Sequence, residues 1–309
     1  MRIDKISLSY SYKPKTPVVA CIGFFDGVHK GHKALIQEAI RQSKELNCAS
    51  ALINFEPDPW VTIKGISEDE CEHLTTTKQK INLIVQEGIQ NIYILDFTKE
   101  MSKLSDMDFV VRVLGQLNLK GLVCGYDFHF GVNGTGDATR LKQLVNCPVT
   151  VVDEVSSDGA KISSSRIVNC VKSGDFYKAY MLLGHPFSMD GKVVHGNHVG
   201  HTLGFPTANV EYSPEYVLPL TGVYSGHVIL RGKRYGAMIN VGHNPTVNYS
   251  RQISVEAYIF NLNEDIYNQY ISVIFEQYIR PEQQFKNKEN LILQLERDRS
   301  QVMKALGYK

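Results

Sequence analysis

The 309-residue chain balances 33 Lys and Arg against 32 Asp and Glu, for a formal net charge of +1, and 43% of its residues are hydrophobic. That length has room for two ordinary domains with sizeable cores, and the even charge offers no basic field to attract nucleic acid. No apolar run reaches the roughly 18 residues needed to span a bilayer, and Met1-Arg2-Ile3-Asp4-Lys5 lacks the apolar core of a secretion signal. Six cysteines, with no C-x-x-C pair among them, suit buried thiols in a reducing compartment better than a disulfide framework. The expected setting is a soluble cytoplasmic protein with no membrane partner.

The apolar run 18–22 reads as a buried strand. It leads into Gly23-Phe24-Phe25-Asp26-Gly27-Val28-His29-Lys30-Gly31-His32 and then a helix-spaced stretch over 31–47. Two histidines three apart at a strand-to-helix turn, with Gly31 between them, suit the phosphates of a nucleotide. The helix start offers N–H groups, the glycine permits close backbone approach, and imidazoles donate hydrogen bonds to developing charge. Further short strands are predicted at 49–55, 91–95, 121–124 and 149–152, with helical patterns at 78–88, 105–117 and 138–146 between them. Such alternation favours a parallel sheet with helices on both faces and a ligand at the carboxyl ends of its strands. Gly125-Tyr126-Asp127-Phe128-His129-Phe130-Gly131 follows one strand directly. Ile162-Ser163-Ser164-Ser165-Arg166 opens a helix whose hydroxyls and cation can hold phosphate.

Beyond Gly184 the periodicity changes. Segments 193–194, 222–230, 235–239, 253–259 and 270–275 are β-rich and separated by Gly, Pro and Asn turns, as in a small antiparallel barrel. A closing amphipathic helix carries Leu291, Leu295, Val302 and Leu306 near one side. The stretch from Gly191 through Gly196, Gly200, His201 and Gly204 ends in Phe205-Pro206-Thr207-Ala208-Asn209. Its glycines let N–H groups surround phosphate, and a Thr hydroxyl with an Asn carbonyl are hard ligands suited to Mg²⁺. His195, His198 and His201 have helix-face spacing, but the glycines around them and the lack of a Cys or carboxylate partner argue against zinc.

Taken together, the first-half motifs resemble those of the adenylyltransferase domain of bacterial bifunctional riboflavin kinase/FAD synthetases, within the HxGH nucleotidyltransferases. The second half resembles the riboflavin kinase domain of the same family. There the resemblance runs through G-F-P-T-A-N, Gly222-Val223-Tyr224, Asn240-Val241-Gly242-His243-Asn244-Pro245-Thr246, the Glu256 strand and Ile279-Arg280-Pro281-Glu282 with Phe285. It implies a Rossmann-like α/β domain over 1–184, then a kinase-type β-barrel with a C-terminal helix over 185–309. It implies riboflavin, FMN and FAD as ligands, together with ATP, ADP and pyrophosphate, and Mg²⁺ as cofactor.

By the same resemblance His29 and His32 are catalytic in adenylylation, and Gly23, Phe25, Asp26, Gly31, Ser164, Ser165 and Arg166 contact ATP. Asp127 and Phe128 face the flavin. In the kinase half Glu256 is the base, Thr207 and Asn209 hold the metal and ATP phosphate, Gly191, Gly196, Gly200, His201, Gly204 and Pro206 surround phosphate, and Arg280 and Phe285 hold the flavin. Several positions depart from the family pattern. Phe24 stands where Thr or Ser is usual, Asp58 where His is, Trp60 where Arg is common, and Val168 and His201 each where an Arg is usual. Losing one charge-assisted bond to phosphate costs about 1.5–3 kcal/mol, one to two decades in rate, so adenylylation is expected to be the slower activity. Lys161 and Arg166 are the cations at hand to replace the loss. An enzyme with one working module and a flavin- or nucleotide-binding regulator remain the alternatives.

Overall fold

The computed structural model describes residues 1–9, 12, 14–196, 199–243 and 253–308, without the side chains of Asp69, Val199 and His201. His198 and the Asn244-Pro245-Thr246 motif lie outside these residues. Contacts divide the chain into two units. One comprises Met1–Cys71 and Thr77–Ser164, the other Glu72–Thr76 and Ser165–Lys309.

The first unit runs β1 (Arg2–Ile6), β2 (Val18–Ile22), α1 (Lys30–Glu45), β3 (Ala49–Glu56), α2 (Pro59–Lys64), α3 (Thr77–Gln86), β4 (Asn91–Asp96), α4 (Asp106–Arg112), β5 (Leu119–Gly125), α5 (Ala138–Leu144) and β6 (Val149–Val152). A two-stranded hairpin, β7 (Ser156–Ser157) with β8 (Ala160–Lys161), follows. Six strands form a sheet in the order β1-β4-β3-β2-β5-β6, every pair parallel. β2 is apolar along its whole length because both its faces are covered. Val18, Ala20 and Ile22 join one core with Phe109 and Leu141 from α4 and α5. Val19 and Cys21 join the other with Ile36, Ala39 and Ile84 from α1 and α3. The chain builds outward from β2 through β3 to β4, then returns to place β5 on the other side. The topological switch therefore falls between β2 and β5, where a ligand crevice opens beyond the strand ends. Among the described residues no helix is long and apolar enough to cross a membrane.

The second unit begins with α6 (Ser164–Lys172, of which Ser164 falls to the first unit) and α7 (Phe176–Leu183). It continues through β9 (Ser188–Val194), α8 (Val199–Thr202), β10 (Ala208–Tyr212), β11 (Gly222–Leu230), β12 (Lys233–His243), β13 (Ile253–Ile259), β14 (Tyr270–Arg280) and α9 (Lys288–Ala305). The strands close a barrel in the order β10-β13-β12-β11-β14-β9. Its pairings differ in length: β11 and β12 match over nine residue pairs, β10 and β13 over only two, Ala208 with Ala257 and Asn209 with Glu256. Phe176 of α7 stacks on Phe187 and Phe275 at 5.8 and 5.2 Å. That apolar packing is why α6 and α7 group with the barrel, and the contact division precedes residue 184 by these two helices. α9 lies on the outer wall, with Val302 fully buried among Phe205, Val223, Met238 and Phe260.

Candidate active sites

In the first unit the turn after β2 is built by unusual backbone. Phe25, Gly27 and Val28 have φ of 56°, 71° and 41°, which reverses the chain tightly enough to start α1 within a few residues. His29 is the N-cap of α1, its Nδ1 accepting from the backbone N–H of His32 at 3.2 Å. An imidazole that accepts at Nδ1 carries its proton on Nε2, so the cap bond also sets the tautomer and leaves Nε2 as a donor. The His29 and His32 rings stack at 3.6 Å and 13°. Gly31 makes this possible, since a Cβ there would stand 3.0 Å from His29 Cε1. Among the described residues, the buried His32 Nδ1 meets no hydrogen-bond partner. Burial first, then the neighbouring His29, Lys80 and Lys161, holds the His32 pKa well below 6.5. Both features suit a neutral imidazole lining the neighbouring cavity.

The cavity in front of this turn has a volume of about 490 Å³, and Gly23, Phe24, His29, Gly31, His32, Asp127, Phe128, Lys161 and Ser164 are among its lining residues. It takes residues from the ends of both β2 and β5, on the two sides of the switch. Lys161 pairs with Asp127 and lies 5.0 Å over the Tyr126 ring, while Ser164 Oγ donates to the Asp26 carbonyl at 3.1 Å. Phe25 and Asp26 are predicted nucleotide contacts but do not line the cavity. Both are buried, and Phe25 packs 5.1 Å from His32 to support it from behind. Ser165 and Arg166 follow in α6 and are also absent from the lining. Asp58 caps α2, accepting from Trp60 N–H at 2.8 Å. Trp60, 59% exposed, stands at the cavity rim.

The second unit assembles its site by strand register. Along β13 the side chains alternate, so Ser254, Glu256 and Tyr258 face one cavity while Ala257 and Ile259 face another. Glu256 stands opposite Asn209 on β10 and Asn240 on β12. The Thr207 hydroxyl donates to Glu256 Oε2 at 3.0 Å. The first cavity, about 450 Å³, lies between the barrel wall and α9 and is lined by Asn209, Glu256, Arg280, Phe285, Leu291 and Leu295 among others. The second, about 640 Å³, includes Thr202, Pro206, Asn263 and Tyr267. Thr207 lines both.

Gly196 sits against Asn209 so closely that a Cβ would overlap the amide. Gly200 lies in α8 and lines the first cavity, and Gly204, at φ 82°, turns the chain towards β10. Gly191 is in β9, paired with Tyr212 rather than at a cavity. His195 stacks on Tyr267 at 3.7 Å.

A family model for FAD synthetase matches residues 12–166, and one for riboflavin kinase matches residues 183–306. The bifunctional riboflavin kinase/FMN adenylyltransferase of Listeria monocytogenes is 34% identical over 282 residues, covering 91% of this chain and 90% of that protein. The chain belongs to the bifunctional riboflavin kinase/FMN adenylyltransferase family. A second family member, from Bacillus subtilis, is 32% identical and covers 93% of this chain and 92% of its own. A crystal structure from Streptococcus pneumoniae described as a macrolide-efflux protein matches with a TM-score of 0.88 at 30% identity, over 96% of this chain and 97% of that one.

Two charged residues near these sites are absent from the sequence reading. Lys80 is 3% exposed, with its ammonium 3.7 Å over the Phe24 ring. Asp298 is 1% exposed and pairs with Arg280. In each case the available signal was a charge on the side of a helix that otherwise carries apolar residues.

Proposed function

We propose that residues 185–309 of this bifunctional enzyme phosphorylate riboflavin to FMN and residues 1–184 adenylylate FMN to FAD, both steps drawing on ATP in the cytoplasm. The family matches over 12–166 and 183–306 support that assignment. The observation that carries the kinase reading is the Thr207–Glu256 hydrogen bond, made by a residue common to two cavities. A flavin in the cavity under α9 and a nucleotide in the neighbouring one would meet at this point. Glu256 Oε2 accepts from Thr207, leaving Oε1 to take the proton of the ribityl 5′-hydroxyl. That oxygen attacks the terminal phosphorus of ATP and ADP departs. The Thr207 hydroxyl, Asn209 amide and Glu256 carboxylate form an oxygen-rich set that suits a small hard cation. We assign Mg²⁺ to Thr207 and Asn209, where it would offset the charge of the transferred phosphoryl group.

For adenylylation, a phosphate oxygen of FMN attacks the α-phosphorus of ATP and pyrophosphate leaves, with no covalent enzyme intermediate required. Neutral His29 and His32 meet the phosphates as oriented hydrogen-bonding groups in a site that needs no reorganisation. Among the described residues, Lys161 is the lysine that lines this cavity. Asp127 and Phe128 serve the flavin side and Ser164 the phosphates. The test is incubation of the full-length protein with riboflavin and MgATP, with FMN and FAD resolved by chromatography over time. FMN is expected to accumulate ahead of FAD. A protein that forms no FMN would sink the kinase assignment, and one that forms FMN but converts none of it would sink the adenylyltransferase assignment.

A further inference from the structure

The apolar side of α9 runs Leu291, Leu295, Val302 and Leu306, and the steps of four, seven and four residues leave Asp298 on the same stripe. A carboxylate there is out of keeping with its neighbours, and it is almost wholly enclosed at 1% exposure. Both of its oxygens are engaged. Oδ1 accepts from Arg280 Nε at 3.0 Å and from Gln294 Nε2 at 2.8 Å, and Oδ2 accepts from Arg280 Nη2 at 2.6 Å and Nε at 3.0 Å. Such a two-point pairing fixes the plane of the guanidinium as well as its position. Arg280 Nη1 donates once more, to the Pro281 carbonyl at 2.8 Å.

Arg280 lines the cavity that holds Glu256, and its charged group lies 6.0 Å from the Phe285 ring centre. A guanidinium has five N–H groups. Among the described residues, one on each terminal nitrogen meets no acceptor. Both terminal nitrogens therefore keep donor capacity for a ligand in this cavity. We propose that Asp298 is a positioning residue of the flavin site. It holds Arg280 so that the two remaining N–H groups form a rigid donor pair for the carbonyl oxygens of a flavin ring. The inference rests on the flavin assignment of this cavity. It makes the C-terminal helix part of substrate recognition as well as a cover for the barrel.

The experiment compares the full-length protein with Asp298→Asn, Arg280→Lys and the double variant. Riboflavin binding is read by quenching of flavin fluorescence, FMN formation gives KM and kcat, and thermal melting follows the fold. Asp298→Asn should weaken riboflavin binding and raise its KM by about tenfold, with kcat within about twofold. The double variant should be no worse than the more affected single variant, because both act through one group. Gln294→Ala, which removes a lesser partner of the same carboxylate, should raise KM by about two- to threefold and covers the case in which Asp298→Asn does not fold. Unchanged KM in Asp298→Asn and Gln294→Ala, or additive losses in the double variant, would overturn the proposal. A wild-type protein that binds riboflavin but makes no FMN would refute the kinase reading and leave this test intact. One that does not bind riboflavin refutes both.

Discussion

The two candidate sites reach similar phosphate chemistry by opposite constructions. The first unit gathers its histidines within four consecutive residues, using a strained turn and a helix cap at the end of one strand. In the second unit Asn209, Asn240 and Glu256 come from three strands and meet only because the register aligns them. A local site depends on backbone conformation, whereas a register site depends on every strand pairing between its members. The first is more sensitive to changes within its own turn. The second exposes its key groups to remote changes in the barrel.

The largest expected effect separates the two outright. Glu256→Gln keeps the shape and the Thr207 contact but removes the base, so riboflavin phosphorylation should fall by about 10²–10⁴. Adenylylation of supplied FMN should stay normal, because the group altered belongs to the other unit. Equal losses of both activities would show that the sites do not divide as described. In the first unit, His29→Asn retains a side chain able to cap α1 while removing the imidazole. Adenylylation should drop by about 10²–10³ with thermal stability close to wild type, measured alongside an unchanged kinase rate. Retained adenylylation would reduce His29 to a helix cap.

The smallest effect is a shift in pH dependence. His32 is held below its ordinary pKa of 6.5, so it is neutral at pH 7 and protonates only as the pH falls well below that value. Adenylylation should therefore hold its rate on acidification from pH 7.5 to 6.5. Lys80, a neighbouring cation, disfavours the imidazolium, and Lys161 and His29 act in the same direction. Removing the charge in Lys80→Met should raise the His32 pKa and move the acid limb of the rate profile upward by a fraction of a pH unit. A limb that stays in place would mean that Lys80 does not contribute to the value.

These constructions also explain what could be read in advance. The strand, turn and helix around His29 and His32 were legible because all three signals are contiguous. β2 ends and α1 begins where the apolar spacing changes from continuous to helical. β10, only five residues long and following the glycine-rich stretch, was not identified, although it carries Asn209. Its strand character comes from pairing with β9 and β13 rather than from its own residues. The edge strand β1 was missed for the same reason, since it is defined by its parallel match with β4 about ninety residues away. The roles of Lys80 and Asp298 depend on long-range contacts that spacing does not encode. Phe25 and Asp26 sit inside the expected motif but serve the turn, because that motif contains both the groups facing the cavity and the groups supporting them.

The two-pair match between β10 and β13 has a further consequence. A closed barrel has no free edge, yet it resists opening only as well as its weakest seam. That seam joins Asn209 to Glu256. Among the described residues, opening this seam would break the shortest pairing in the circuit, and it would separate the residues assigned to metal and proton transfer. Ligands bridging these residues would act as a staple across the join, strengthening the whole barrel through the place where it is thinnest.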